Sequence, residues 1–167
     1  MSSATRFLDV LLIAAALFLA CFCVLLFRSF NQAPPFEGPV GGYLPLQAFQ
    51  SKIESCKFSA HRRILISGWI ARPGQRRGKH TTTVVIRDAA DGRLYAMETD
   101  LPPRRDVSKR LNYLLGDRID YTTSGFAASL NLQKAGHRIR EGQLYIAYDE
   151  GESYTLVPTT CSFSGAR

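Results

Sequence analysis

Three histidines, His61, His80 and His137, are the side chains best suited to moving a proton near neutral pH. His61 stands beside Arg62-Arg63 and His137 beside Arg138, so neither has an orienting acid close by in sequence. No GxSxG, HExxH or phosphate-loop motif occurs anywhere in the chain. Beyond the N-terminal apolar run there is no CxxC, and the histidines have no ligand spacing, which argues against a metal. The reading is a non-catalytic protein that needs neither cofactor nor metal. A hydrolase assembled from distant residues such as Asp106 and His137 is the weakest alternative.

Binding chemistry is easier to place. Arg72, Arg76, Arg77, Lys79 and His80 crowd a segment that also holds Pro73, Gly74 and Gly78. Such a basic loop suits anionic phospholipid headgroups or an anionic glycan, weighed against a merely solvated loop. Trp69, the only tryptophan, would stack on a sugar ring or anchor a core, and the core role is favoured. Arg105 and Asp106 would hold a polar ligand, or form a helix cap and an internal ion pair, and again the structural role is favoured. No nucleic-acid motif is present, and nucleic acid is not expected as a partner.

Alternating strands must position these residues. Ile64, Ile66, Gly68 and Ile70 fall on one side of a period-two pattern, with Leu65, Ser67 and Trp69 on the other. Thr81–Arg87 reads as a second strand, and Asp88–Gly92 as a turn into Arg93–Thr99 as its hairpin partner. Val107, Leu111, Leu114 and Leu115 then share a helical face, with Asp106 as its N-cap. Strands resume at Gly125–Leu132, Gln143–Tyr148 and Tyr154–Val157. Six or seven short strands with one short helix predict a mainly β domain. An antiparallel sandwich of immunoglobulin-like kind fits best, with a small barrel as the alternative.

The chain of 167 residues has room for one such domain and an anchor. Val10–Phe27 is apolar for 18 residues without charge, Gly or Pro, about 27 Å of helix at about 1.5 Å per residue. It ends in Leu25-Leu26-Phe27, a poor signal-peptidase site, so an uncleaved membrane helix is expected. After Arg28 the next basic residue is Lys52, which predicts a cytoplasmic N-terminus and a domain on the far side of the bilayer. Three prolines and three glycines between Asn31 and Gly42 read as a tether, followed by an irregular or helical lead-in to Ile53. The expected organisation is therefore an anchor over 1–30, a linker over 31–53, a domain over 54–163 and a tail over 164–167. The net charge is +7, and a basic domain favours an anionic partner without choosing among lipid, glycan and nucleic acid.

Cys21 and Cys23 sit inside the apolar run, while Cys56 and Cys161 bracket the strands. If the domain lies outside the cytoplasm, Cys56 and Cys161 are expected to pair, the alternative being two separate buried thiols.

The order Cys56, Ile66-Ser67-Gly68-Trp69, Arg105-Asp106-Val107, Ser124-Gly125-Phe126 and Cys161 resembles a β-sandwich domain of bacterial envelope proteins. That domain accompanies multi-spanning O-antigen glucosyltransferases, acyltransferases and other surface-glycan enzymes, where an R-x-DV or RPDV turn follows a GW strand. Arg104-Arg105-Asp106 lacks the proline often found between Arg and Asp, and the large catalytic membrane part is missing from this sequence. The resemblance thus implies location and pathway: an accessory protein of the bacterial inner membrane, with a periplasmic domain that binds a surface glycan or a glycan-modifying membrane enzyme. A structural module of a secretion or division complex is the rival.

Overall fold

A computed structural model describes residues 3–38, 42–43, 45–59, 62–74, 80–136, 138–151 and 153–164. Helix α1 (Ser3–Asn31) contains a 21-residue stretch, Asp9–Ser29, that is long and apolar enough to cross a membrane. None of that stretch is buried against the rest of the chain. Large apolar side chains such as Leu12, Phe18 and Leu25 stay more than half exposed, because a helix apolar on every side has no face to hide within a small domain.

The remainder is mainly β. Two strands, β2 (Gln50–Phe58) and β3 (Arg63–Ala71), form a hairpin, and β7 (Gly125–Asn131) and β6 (Thr99–Asp100) complete a sheet of order β2-β3-β7-β6. The second sheet has the order β1-β9-β8-β4-β5, from β1 (Gly42–Tyr43), β9 (Ser153–Ser164), β8 (Glu141–Asp149), β4 (Thr81–Asp88) and β5 (Leu94–Ala96). Pairing is antiparallel throughout except for the two-residue β1, which runs parallel to β9. One apolar cluster joins the sheets. Ile64, Ile66, Phe126 and Leu130 come from the first, and Val84, Ile86, Leu144 and Ile146 from the second. Alternation in each strand delivers these side chains to a shared interior, as two facing sheets require.

The two motif glycines are needed for close approach. A Cβ on Gly68 would collide with the Lys52 carbonyl oxygen on β2 and press on the Phe126 ring. One on Gly125 would collide with the Pro102 carbonyl oxygen and the Arg104 side chain. Helix α2 (Arg105–Leu115) lies between β6 and β7 and buries Val107, Ser108 and Leu111.

Several expectations change. Residues 33–36 are not a free tether. The Phe36 N–H donates to the Leu94 carbonyl at 2.8 Å and the Ala96 N–H to Pro34 at 2.9 Å, so this segment caps the outer edge of β5. Prolines suit that place, since an edge strand leaves some N–H positions unneeded. The lead-in contains the expected helical turn, a 3-10 turn at Leu46–Ala48, but β2 begins at Gln50, so a boundary at residue 53 cuts it. A bulge between Ile53 and Ser55 breaks its alternation, which hid it in the sequence. Arg93–Thr99 is not one hairpin strand, because the chain pairs with β4 at 94–96 and then changes sheets to form β6. Of the expected helical face, Leu114 and Leu115 are exposed.

Cys56 on β2 and Cys161 on β9 form a disulfide with Cα atoms 6.0 Å apart, tying one sheet to the other across 105 residues of sequence. Constraint of so long a loop in the unfolded chain is worth at most about 5 kcal/mol, and measured bridges often give less. Cys56→Ser or Cys161→Ser should each lower stability by about 2–4 kcal/mol, with the double variant no worse than either single one. Urea unfolding of the detergent-solubilised protein, with and without reductant, checks this; midpoints indifferent to reductant would contradict it.

Candidate functional site

Strand direction gathers the described binding candidates, Trp69, Arg72, Arg105 and Asp106, at one end of the domain. Helix α1 leaves at the opposite end. There the Ala33 N–H meets the Ala135 carbonyl, in the β7–β8 loop, at 3.3 Å. The β3–β4 segment, helix α2 and the β8–β9 turn occupy the other end. β3 spans the distance between them, from Arg63 opposite Asn131 to Trp69 opposite Gly125 and on to Ala71. Nine residues make eight steps of about 3.3 Å, so the ends lie about 26 Å apart.

At the far end Trp69 is wedged under α2. It is 7 % exposed and packs with Ala71, Val107, Leu111 and Tyr121. A ring so covered anchors the helix to the sheet and offers no open face to a sugar.

Arg105, expected to pair with Asp106, is exposed and makes no ion pair among the described residues. Its neighbour Arg104 does that work. The Arg104 guanidinium donates to both Glu54 oxygens, at 2.7 and 2.8 Å, and to both Asp106 oxygens, at 2.9 and 2.7 Å. Four donated bonds leave this guanidinium little capacity for a further anion. The clasp links β2 to the first turn of α2. The hydrogen bonds from Arg104 hold the Asp106 carboxyl down to about 2 and lower that of Glu54 as well. Asp106 lies inside the first turn of the helix, and the N-cap position belongs to Arg104, whose own side chain makes no cap. An arginine three residues before a valine in a polar run gives no sequence signal of this role. It is set by Glu54, 50 residues away.

The root of the basic segment is firmly held. Arg72 donates to Glu150 Oε2 at 2.6 Å, joining the start of the β3–β4 segment to the β8–β9 turn. The Gly74 N–H donates to the Tyr121 hydroxyl at 3.1 Å, and that hydroxyl donates to Asp117 Oδ2 at 2.6 Å. The Tyr121 N–H in turn donates to Ser108 Oγ at 3.1 Å, so one tyrosine ties the segment to α2. Burial and the Asp117 carboxylate raise the Tyr121 hydroxyl above its ordinary pKa. On the other side, His80 stacks on Tyr148 with ring centres 5.1 Å apart, and Phe49 meets Tyr148 edge-on at 4.9 Å. Tyr148 is pushed well above the usual phenol range by burial and then by Glu150. Thr123 Oγ1 lies 3.5 Å from His80 Nε2, too long as it stands to activate a hydroxyl. Arg76, Arg77 and Lys79 lie outside the described residues, as do His61 and His137.

Helix α2 adds a feature that periodicity alone misassigned. Tyr113 is 88 % exposed, and Leu114 and Leu115 stand out beside it. Gly116, in the left-handed region at φ 68°, ends the helix immediately after them. The far end therefore carries three exposed apolar or aromatic residues on α2 together with Arg72, paired to Glu150, and His80, stacked on Tyr148. No family model, curated protein or solved structure matches this chain.

The clasp makes stability depend on acid. Asp106 and Glu54 have folded pKa values below their ordinary ones. Their contribution is complete above the ordinary carboxylate range and fades as pH falls through it toward about 2. The unfolding midpoint of the wild type should drop over that window. Arg104→Ala should flatten the drop, and Arg105→Ala should leave both the curve and the stability within about 0.5 kcal/mol. Denaturant titrations at a series of pH values check this, and identical curves for the two variants would contradict it.

Proposed function

We propose that this protein is a non-catalytic accessory module of the bacterial cell envelope that binds a surface glycan or a membrane enzyme that modifies one. In this reading α1 anchors it in the inner membrane, with the N-terminus in the cytoplasm and the β-domain in the periplasm. The observation that carries the proposal is that Arg72, His80 and the exposed Tyr113, Leu114 and Leu115 belong to the end of the domain opposite the helix exit, about 26 Å of strand away. A basic segment that starts from this end supports an anionic glycan as partner over lipid headgroups.

Three further features support the reading. A disulfide closing a domain is typical of oxidising compartments. The stretch between Arg28 and Lys52 has no basic residue, as expected after a helix whose N-terminus stays in the cytoplasm. The domain itself is read as immunoglobulin-like. Taking β2, β3, β6 and β7 as A, B, D and E, and β4, β5, β8 and β9 as C, C′, F and G, the sheets become A-B-E-D and G-F-C-C′, with the two-residue β1 added outside G. The bridge then joins A to G, unlike the B–F bridge of antibody domains.

The exposed Tyr113 favours a second reading, a structural interaction module of another envelope complex such as one for secretion or division. Photocrosslinking in intact cells separates the two, with a photoreactive phenylalanine analogue at Tyr113 and, separately, at His80. A crosslink to a glycan or a glycan-modifying membrane enzyme is expected. A secretion or division component would transfer the assignment to the second reading. No crosslink, together with surface glycan unchanged on deletion, would overturn the first. Labelling of free thiols on unreduced and reduced cells tests the compartment, since Cys56 and Cys161 should react only after reduction.

A further inference from the structure

At the opposite end of the domain, Lys134 of the β7–β8 loop places its ammonium 4.3 Å from the centre of the Phe27 ring. Phe27 lies two residues inside the end of the apolar stretch Asp9–Ser29. The ammonium is therefore at the level of the last helical turn, where a helix that crosses a bilayer meets the headgroups. Only Gln32 separates α1 from Ala33, whose N–H bonds to Ala135 in the same loop and which is buried in the inter-sheet core. Helix and loop are therefore held together, so the loop cannot lift off while the helix stays in the membrane.

The two segments next to this contact are rich in basic side chains. Lys57 lies near the end of β2, Arg62 and Arg63 lead into β3, and Lys134, Arg138 and Arg140 belong to the β7–β8 loop; Lys57 and Arg63 also line a separate cleft with Glu98 and Asp100. None of these basic side chains pairs with a carboxylate among the described residues. The nearest acid in these segments, Glu141, begins β8. The two segments are stitched together, since the Leu132 N–H donates to the Arg62 carbonyl at 2.9 Å. Arg62 takes the left-handed φ of 56°, unusual for a residue with a Cβ. In that conformation it lines an open cleft of about 450 Å³ with Arg138, Gln133 and Gly136. Two guanidiniums edging one open cleft at the depth of the helix exit have the chemistry to hold a phosphate diester.

We propose that this end is a second membrane contact: a basic rim that binds anionic phospholipid headgroups of the bilayer that α1 crosses. The rim would fix the tilt of the domain, pressing one end to the surface and presenting the other outward. This inference rests on α1 crossing a membrane, and it is independent of what the far end binds.

The test uses the full chain reconstituted in nanodiscs of phosphatidylcholine alone, or with a third phosphatidylglycerol. Backbone hydrogen exchange is followed in peptides covering 57–63 and 132–140, with β4 as an internal control. Phosphatidylglycerol should slow exchange in the two rim segments by about fivefold, the factor that one basic side chain contributes near an anionic surface. About 0.5 M salt should reverse the slowing, since it shortens the screening length to a few ångströms. The combined variant R63S, K134S and R138S should lose the difference, whereas Arg105→Ser at the far end should keep it. Equal rates in the two lipids, or a difference indifferent to salt in the wild type, would overturn the rim. Failure of the chain to insert into either disc would overturn it too, by removing the membrane reading of α1, while leaving the domain's exchange pattern intact.

Discussion

The inner faces of the two sheets can be kept from water only by each other, and the rest of the structure depends on that contact. Ile64, Ile66 and Leu130 on one side and Ile86, Leu144 and Ile146 on the other are at most 2 % exposed. Burial of a single such side chain is worth about 1.5–3 kcal/mol, so this layer outweighs any ion pair on the surface. It also dictates where glycine must stand. Phe126 fills the interior at Gly68, and the approach of β2 leaves no space for a Cβ there. The Cys56–Cys161 bridge ties the two sheets at the margin of that layer, from exposed Cys56 on the edge strand β2 to buried Cys161 on β9.

A sandwich has two ends, and they carry different chemistry because the chain crosses the domain so many times. The strands that start near α1's exit finish beside α2. Among the described connections, the β2–β3 and β7–β8 turns belong to the end where the helix leaves, and the β3–β4 and β8–β9 segments to the end where Trp69 supports α2, while the chain changes sheets between β5 and β6 in mid-domain. The basic residues of 57–63 and 132–140 gather at the first end, and those of 72–80 begin at the second.

Arg104 and Arg105 illustrate how little the identity of a residue says about its work. Both are arginines in a run leading into α2, and one is exposed while the other donates four hydrogen bonds to two carboxylates. The difference arises because Arg104 lies against Gly125, where the missing Cβ leaves room for its stem. From there its head reaches Glu54 on the neighbouring strand. The partly covered setting strengthens the bonds, since fewer waters compete for the guanidinium.

The sequence by itself determined what depends on neighbours along the chain. The apolar run gave the membrane-length helix, and alternation gave β3, β4, β7 and β8, because side-chain period follows from local backbone geometry. The pairing of Cys56 with Cys161 was also within reach, since only two cysteines flank the strands. Tertiary structure alone decided what depends on residues far apart in sequence. It made 33–36 an edge cap instead of a tether, and it hid Trp69 under α2 while leaving Leu114 and Leu115 in solvent. It also chose Arg104 over Arg105. The physical reason is common to all of these. Burial and ion pairing are set by which surfaces the sheets bring within a few ångströms of one another, and no spacing along the chain encodes that distance directly.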